Sequence, residues 1–150
     1  MKDLFTISKA TMSDVMTLSE MGLMLWPEDS SIQSLFQEFS QIIADKNAII
    51  FIAKKNNIAA GFAHCQIRND YVEGTETTPV GYLEGIYIND EHRLLGIATR
   101  LLKSCEEWLR EKNIVEFASD CELTNSESIQ FHLNQGFSEV NRIVCFKKRL

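Results

Sequence analysis

The sequence has no long apolar run, only two prolines and seven glycines, and no paired cysteines. No apolar stretch approaches the roughly 18 residues of a membrane-spanning helix. The first residues, MKDLFTISKA, lack the apolar core of a signal peptide. No segment rich in proline, glycine or serine divides the chain. We therefore expect one domain over residues 1–150, with no membrane as partner.

The four cysteines, Cys65, Cys105, Cys121 and Cys145, are widely spaced and form no C-x-x-C pair. This spacing indicates neither a zinc site nor a disulfide framework, so we expect no metal and interpret them as thiols of a cytoplasmic protein. Positive charge is also scarce: 15 lysines and arginines against 21 acidic residues give a net charge of −6. That balance disfavours nucleic acid as a partner and is compatible with a cationic ligand.

Apolar residues follow helical and strand periods in turn along the chain. Side chains that recur every three to four positions predict helices over residues 11–25, 31–43, 99–112 and 126–135. Continuous or alternating apolar runs predict strands over residues 4–10, 48–54, 58–68, 82–88 and 114–120, with a strand or hairpin over 137–147. The pattern predicts an α/β domain with a mixed, mostly antiparallel sheet flanked by helices.

The stretch EHRLLGIATRLL, residues 91–102, starts a helix with glycine and alanine where a polar cap is expected. The first N–H groups of a helix lack internal partners and attract anions. Gly96 and Ala98 would let a ligand approach the backbone, and Arg93 would add positive charge. The stretch is therefore either a phosphate cradle or an ordinary junction between strand and helix.

Arg93-x-x-Gly96-x-Ala98 after a strand resembles the pyrophosphate-binding signature of the GNAT acetyltransferase superfamily, and the order of elements matches over essentially the whole chain. Further blocks resemble the aminoglycoside 6'-N-acetyltransferases: Leu25-Trp26-Pro27, Asp70-Tyr71-Val72, Leu83-Glu84-Gly85-Ile86 and Ala118-Ser119-Asp120. The resemblance implies the GNAT fold and direct acetyl transfer from acetyl-CoA, in a ternary complex, to the 6'-amino group of aminoglycosides. It also implies antibiotic resistance and, because GNAT enzymes are often dimers, a homodimer.

The resemblance also assigns residues to the coenzyme. The strand before the cradle would pair its backbone with the pantetheine arm, and the loop and helix would bind the pyrophosphate. An asparagine further along the chain would contact the coenzyme or cap its own helix. The implied cofactor-binding residues are Ile86, Tyr87, Ile88, Arg93, Leu94, Leu95, Gly96, Ile97, Ala98, Thr99 and Asn125.

Glu84 lies in the apolar strand YLEGIYI, and alternation places Tyr82, Ile86 and Ile88 on its face. A carboxylate among apolar residues needs a partner, which could be a structural cation, solvent at the strand end or a substrate amine. Acetyl transfer needs a neutral amine, and a nearby carboxylate can accept its proton. In the resembled family a glutamate occupies the acceptor site, so we interpret Glu84 as the catalytic base.

Four more residues are candidates for binding the acceptor, which we expect to be a small polycationic amine. Asp120 ends a strand, where ligands of α/β sheets gather, although such an aspartate can also form a turn. Trp26 and Tyr71 lie in irregular segments, where aromatic faces suit sugars and cations and core packing is the alternative. The resemblance places these three at the acceptor site, together with Asn141, which replaces an acidic residue of some family members. Glu73 and Glu76 of the nearby loop would add only to the negative field.

Two questions stay open at the level of sequence. Many GNAT enzymes have a tyrosine where this chain has His132, so the departing thiolate takes its proton from His132 or from solvent, and a purely structural histidine is the alternative. The chain could also acetylate a polyamine or a protein N-terminus, or be a non-catalytic acyl-CoA-binding sensor.

Overall fold

The sheet has five strands in the order in which they occur in the sequence. The computed structural model describes residues 4–150. The strands are β1 Phe5–Lys9, β2 Ala48–Lys55, β3 Ile58–Arg68, β4 Val80–Ile88 and β5 Phe117–Ala118. All neighbours pair antiparallel except β4 and β5, which are parallel. This confirms the predicted mixed, mostly antiparallel α/β architecture.

The helices are α1 Val15–Leu25, α2 Ile32–Ala44, α3 Ile97–Glu111 and α4 Ser126–Asn134. Helix α1 ends at Leu25 and has Trp26 as its C-cap, as expected for a residue before proline. Ser31 is the N-cap of α2, and its hydroxyl accepts a hydrogen bond from the backbone N–H of Ser34. Within residues 4–150, no helix combines the length and the apolar composition that crossing a bilayer requires.

Two apolar clusters hold the helices against opposite faces of the sheet. On one face, Leu101 and Cys105 of α3 are fully buried against the sheet. On the other, Leu18 of α1 and Phe39 of α2 pack with Phe62 of β3. The amphipathic patterns of these helices therefore face the core as their periodicity predicts.

A β-bulge interrupts β4 at Glu84. Cys65 of β3 pairs with Leu83 and His64 pairs with Gly85, which leaves Glu84 as the extra residue. One extra residue moves every later side chain to the opposite face of the sheet.

The predicted shared face of Tyr82, Glu84, Ile86 and Ile88 is therefore wrong in part. Ile86 and Ile88 pack with Leu83 on the α3 side. Tyr82 and Glu84 both contact Arg68 and stay together. The alternation rule failed because it assumes an unbroken strand.

The C-terminal part has less strand than the sequence predicts. Of residues 114–120, only Phe117 and Ala118 form a strand. The described residues 137–150 contain no helix or strand, although a strand or hairpin was expected over 137–147. Apolar side chains in this tail, including Ile143, Val144 and Phe146, are exposed. An alternating pattern forms a strand only where a neighbouring strand accepts its hydrogen bonds.

Candidate active site

The ladder between β4 and β5 is short and leaves one edge of β4 open. Its two pairs are Gly81 with Phe117 and Tyr82 with Ala118, and no further β5 pair occurs among the described residues. Strand β4 nevertheless continues to Ile88. An extended ligand can bind such an edge by main-chain hydrogen bonds, as an added strand would. The open edge contains Ile86, Tyr87 and Ile88, for which the resemblance implies pairing with the pantetheine arm.

The end of β4 leads into a cradle at the start of α3. Leu94 and Gly96 both have positive φ values, 65° and 78°, and Gly96 is the N-cap of α3 without a capping side chain. A left-handed residue beside a helix start turns successive N–H groups toward one point and forms an anion site. Glycine is required here because other residues rarely adopt this φ without strain.

The cradle is open to a ligand. A Cβ atom placed on Gly96 would meet nothing within 4 Å, and Leu94 is fully exposed. Arg93 stays at the rim, where its Nε donates to the Ile88 carbonyl (3.2 Å) and its guanidinium pairs with Asp90 (3.1 Å). The exposed backbone around Leu94, Leu95 and Gly96 therefore forms an accessible surface at the start of α3, which fits a pyrophosphate chemically.

The acidic candidates lie beside the open edge, and Arg68 and Tyr82 connect them. Arg68 of β3 donates from Nε to Glu84 Oε2 (3.0 Å) and from Nη2 to Oε1 (2.5 Å) and Oε2 (2.8 Å). The guanidinium carbon lies 3.5 Å from the centroid of the Tyr82 ring. The Tyr82 hydroxyl in turn donates a hydrogen bond to Asp120 Oδ2. Glu84 and Asp120 thus belong to one connected cluster.

The protonation states of this cluster follow from its contacts. Hydrogen bonding to Glu84 raises the pKa of Arg68, so the guanidinium remains charged. Burial, reinforced by the bond to Asp120, raises the pKa of Tyr82, so its hydroxyl remains a neutral donor. Sequence reasoning missed Arg68, because the β3–β4 register pairs Arg68 with Val80 and only the folded sheet brings its side chain to Glu84.

Tyr71 and Asn141 meet through a residue that the sequence suggested only as a source of negative field. The exposed Tyr71 hydroxyl donates to Glu73 Oε2 (2.7 Å), and Asn141 Nδ2 donates to Glu73 Oε1 (2.5 Å). These two bonds, first that of Asn141, lower the pKa of Glu73. The loop and the C-terminal tail therefore present one polar surface with an ionised carboxylate at its centre.

Trp26 packs against the backbone next to Glu84. A Cβ atom on Gly85 would lie only 3.0 Å from carbon atoms of the Trp26 ring. The indole is partly buried in the cluster between the sheet and helices α1 and α2. It therefore serves the core and forms a wall beside Glu84 at the same time.

His132 and Asn125 hold the structure around the site. His132 Nδ1 lies 2.6 Å from the Ser128 carbonyl oxygen and Nε2 lies 2.8 Å from the Ser119 hydroxyl. Because a carbonyl only accepts, Nδ1 carries a hydrogen and donates it to Ser128, while Nε2 shares a hydrogen bond with the Ser119 hydroxyl. Asn125 caps α4 by accepting from the Ser128 N–H (3.1 Å). Within residues 4–150, no group of three or more metal-ligating side chains lies close enough to hold an ion.

The fold and this site define an acetyltransferase: residues 15–137 match the model of the acetyltransferase (GNAT) family, and the chain belongs to that family. Among characterised relatives, it is 38% identical to the aminoglycoside N(6')-acetyltransferase type 1 of Acinetobacter haemolyticus, over 95% of each chain. The corresponding enzyme of Stenotrophomonas maltophilia is 34% identical over 97% of this chain and 94% of its own.

Solved structures are similar over the same length. The aminoglycoside 6'-N-acetyltransferase AAC(6')-Ih of Acinetobacter baumannii superposes with a TM-score of 0.90 at 34% identity, covering 97% of this chain and 99% of its own. AAC(6')-Iy, bound to the bisubstrate analogue CoA-S-monomethyl-acetylneamine, gives 0.93 at 29% identity, covering 99% and 100%.

Proposed function

We propose that this chain transfers the acetyl group of acetyl-CoA to the 6'-amino group of aminoglycosides and so confers resistance to them. The observation that carries the proposal is the position of the Glu84–Asp120 cluster beside the open edge of β4, in a chain whose relatives carry out this reaction. Carboxylates at that place suit a polycationic amine better than a neutral acceptor.

We assign the coenzyme to the edge of β4 and the cradle of α3. The backbone from Ile86 to Ile88 would hold the pantetheine arm, and the N–H groups near Gly96, with Arg93 at the rim, would hold the pyrophosphate. When bound, the coenzyme supplies the acetyl thioester. This chain's residues then only have to place the acceptor amine beside it, so transfer is direct and needs no acyl-enzyme.

Glu84 is proposed to take the proton of the acceptor amine, directly or through a water molecule. A carboxylate offers about four lone-pair sites, so the bonds to Arg68 leave room for a further donor. Asp120 and the Tyr71–Glu73–Asn141 surface would hold other ammonium and hydroxyl groups of the sugar. Solvent is proposed to protonate the leaving thiolate, because the Nδ1 proton of His132 is already committed to the Ser128 carbonyl.

The experiment is a thiol-release assay with acetyl-CoA and kanamycin, spermidine or a neutral peptide as acceptor. We expect kanamycin to be turned over and mass spectrometry to place the acetyl group on its 6'-amine. Turnover of spermidine or peptide alone would favour the other acetyltransferase functions, and binding of acetyl-CoA without turnover of any acceptor would favour a sensor.

We also propose that the protein works in the cytoplasm, where acetyl-CoA is available, and that it forms a homodimer. The exposed apolar side chains of the tail, Ile143, Val144 and Phe146, support the dimer, because a second copy of the chain could cover them. Light scattering should give twice the mass of one chain, and Phe146→Ser should lower it. A monomer for the unmodified protein would contradict this assignment.

A further inference from the structure

An arginine already occupies the acidic cluster that we assign to the acceptor. Arg68 binds both carboxylate oxygens of Glu84 and stacks on Tyr82, whose hydroxyl reaches Asp120. A planar guanidinium in this bidentate arrangement is a strong and directional partner of a carboxylate. The Arg68 side chain is 38% exposed and that of Glu84 is 23% exposed, so water screens the pair only in part.

The cluster therefore carries one net negative charge. Glu84 and Asp120 contribute one negative charge each, and Arg68 contributes one positive charge. Tyr82 of β4 is neutral, because burial raises its pKa. His64 of β3 pairs with Gly85, the neighbour of Glu84. Burial lowers the pKa of His64, so it adds no charge near neutrality.

Two other titratable groups lie at the rim of the site, outside the cluster of Arg68, Glu84, Tyr82 and Asp120. Tyr71 and Glu73 of the loop after β3 face each other at the rim of the site. Among the described residues, no hydrogen bond or ion pair joins them to Arg68, so they add to the field of the site without neutralising Glu84. The balance near the reacting amine is therefore set by Arg68, Glu84 and Asp120.

The charge matters because the acceptor must give up a proton before it reacts. In the complete reaction the ammonium loses two protons, the amine nitrogen bonds to the acetyl carbonyl carbon, and the carbon–sulfur bond breaks. One proton ends on the coenzyme sulfur and the other leaves to solvent. Two uncompensated carboxylates beside the amine would stabilise its charged form, which cannot attack.

We propose that Arg68 is a charge-balancing and positioning residue of acetyl transfer. It cancels the charge of Glu84 and fixes its carboxylate, so that Asp120 attracts a polycation while the reacting amine can still lose its proton. The proposal rests on the function proposed above. It goes beyond that function because it gives Arg68 two opposite effects. Arg68 weakens the binding of the acceptor and makes the bound amine more reactive.

Neutral substitution of Arg68 should therefore separate two kinetic constants. In Arg68→Gln, the unpaired Glu84 should bind an ammonium group more tightly and lower the KM for kanamycin by a factor of about two to five. The bound amine should also keep its proton to higher pH. A nearby opposite charge shifts a pKa by about one to three units, so kcat at neutral pH should fall about tenfold or more.

The test measures kcat and KM for kanamycin from about pH 6 to about pH 9, a range suited to a bell-shaped profile. The proteins are the unmodified chain, Arg68→Gln, Arg68→Lys and Arg110→Gln. Arg110 is an exposed arginine of α3, and it controls for the loss of one positive charge elsewhere. We expect Arg68→Gln to recover kcat as the pH rises, Arg68→Lys to restore most of the turnover at neutral pH, and Arg110→Gln to resemble the unmodified chain.

Three outcomes would overturn the proposal. The first is a higher KM together with a loss of kcat that is independent of pH, which a merely structural arginine would give. The second is an Arg68→Lys variant that behaves like Arg68→Gln, since charge would then be irrelevant. The third is a normal profile for Arg68→Gln.

Folding and the proposed function are checked separately. Circular dichroism and acetyl-CoA binding by calorimetry test the fold of each variant. If Arg68→Gln does not fold, Arg68→Met replaces it, because its apolar chain can still cover the Tyr82 ring. If the unmodified chain releases no thiol with any aminoglycoside, the proposed function fails. If the unmodified chain turns over kanamycin normally and the variants give one of the three outcomes above, only the inference about Arg68 is overturned.

Discussion

Glu84 is held at a bulge, where its side chain leaves the regular ladder and meets Arg68. Glu84→Gln retains the shape of the residue but cannot accept a proton. We expect kcat to fall by about 10²–10⁴-fold, the usual contribution of a general base. The measurement is the pH profile of kanamycin acetylation. If Glu84→Gln kept near-normal turnover and lost activity at the same acidic pH as the unmodified chain, another group would take the proton.

Asp120 is the carboxylate of the cluster that no cation neutralises by direct contact in the described residues. Asp120→Asn should raise the KM for kanamycin while the dissociation constant of acetyl-CoA stays unchanged, because the effect is electrostatic and local. Tyr82→Phe is the matched control, since it removes the hydroxyl that binds Asp120 but leaves the charge. Equal weakening of acceptor and coenzyme by Asp120→Asn would indicate a structural role.

The end of β4, the loop after it and the start of α3 together form the cradle. Valine at position 96 would have to adopt a φ of 78°, which costs a branched residue about 1–3 kcal/mol of strain. If the loop relaxes to avoid that strain, Gly96→Val should weaken acetyl-CoA binding about tenfold in calorimetry. Gly136→Val is the control, because Gly136 also has a positive φ and open space for a side chain. If folded Gly96→Val bound acetyl-CoA as tightly as the unmodified chain, the cradle would not be the binding site of the pyrophosphate.

An ion pair fastens the start of α1 to the sheet. Lys54 Nζ donates to Asp14 Oδ1 (2.7 Å), and the Thr11 N–H donates to Asp14 Oδ2 (2.8 Å). Burial by itself would raise the pKa of Asp14, but the hydrogen bonds from Lys54 and Thr11 outweigh it and hold the pKa below its usual range. A lowered folded-state pKa stabilises the fold above the unfolded-state value and ceases to do so as the pH falls through the folded-state value.

Asp14→Asn should therefore lower the free energy of unfolding near neutrality by about 1.5–3 kcal/mol, the range for hydrogen bonds to a charged group. The difference from the unmodified chain should begin to shrink as the pH falls below about 4, the unfolded-state pKa of an aspartate, and should be lost below the lowered pKa of the folded state. Urea unfolding at several pH values measures it. A difference of the same size at every pH would mean that the charge of Asp14 contributes nothing.

At the scale of the whole molecule, the net charge of −6 should act on polycationic acceptors. Salt screens such attraction over about 8–10 Å at physiological ionic strength. The KM for kanamycin should rise with salt, and it should rise less steeply for an aminoglycoside with fewer amino groups. A neutral peptide serves as the uncharged comparison for binding. If the KM values of the aminoglycosides did not change with salt, electrostatic attraction would not explain the proposed specificity.

The sequence by itself determined the order of strands β1–β5 and of the four helices, and the place of the glycine turn before α3. Helix periodicity, Trp26 before Pro27 and the glycine at position 96 act over a few neighbouring residues, so their consequences can be read locally. Short blocks also sufficed for the resemblance that implies an acceptor role for Glu84 and Asp120. The sequence also indicated where the sheet would be antiparallel.

Only the tertiary structure decided what surrounds those residues. The bulge at Glu84, the pairing of Arg68 with it, and the meeting of Tyr71 and Asn141 through Glu73 depend on register between distant segments. Likewise, the tail has a strand-like pattern, but the described residues give it no partner strand. A local pattern fixes which conformation a segment prefers, whereas charge pairs and ladders need a second segment, and the folded chain alone supplies it.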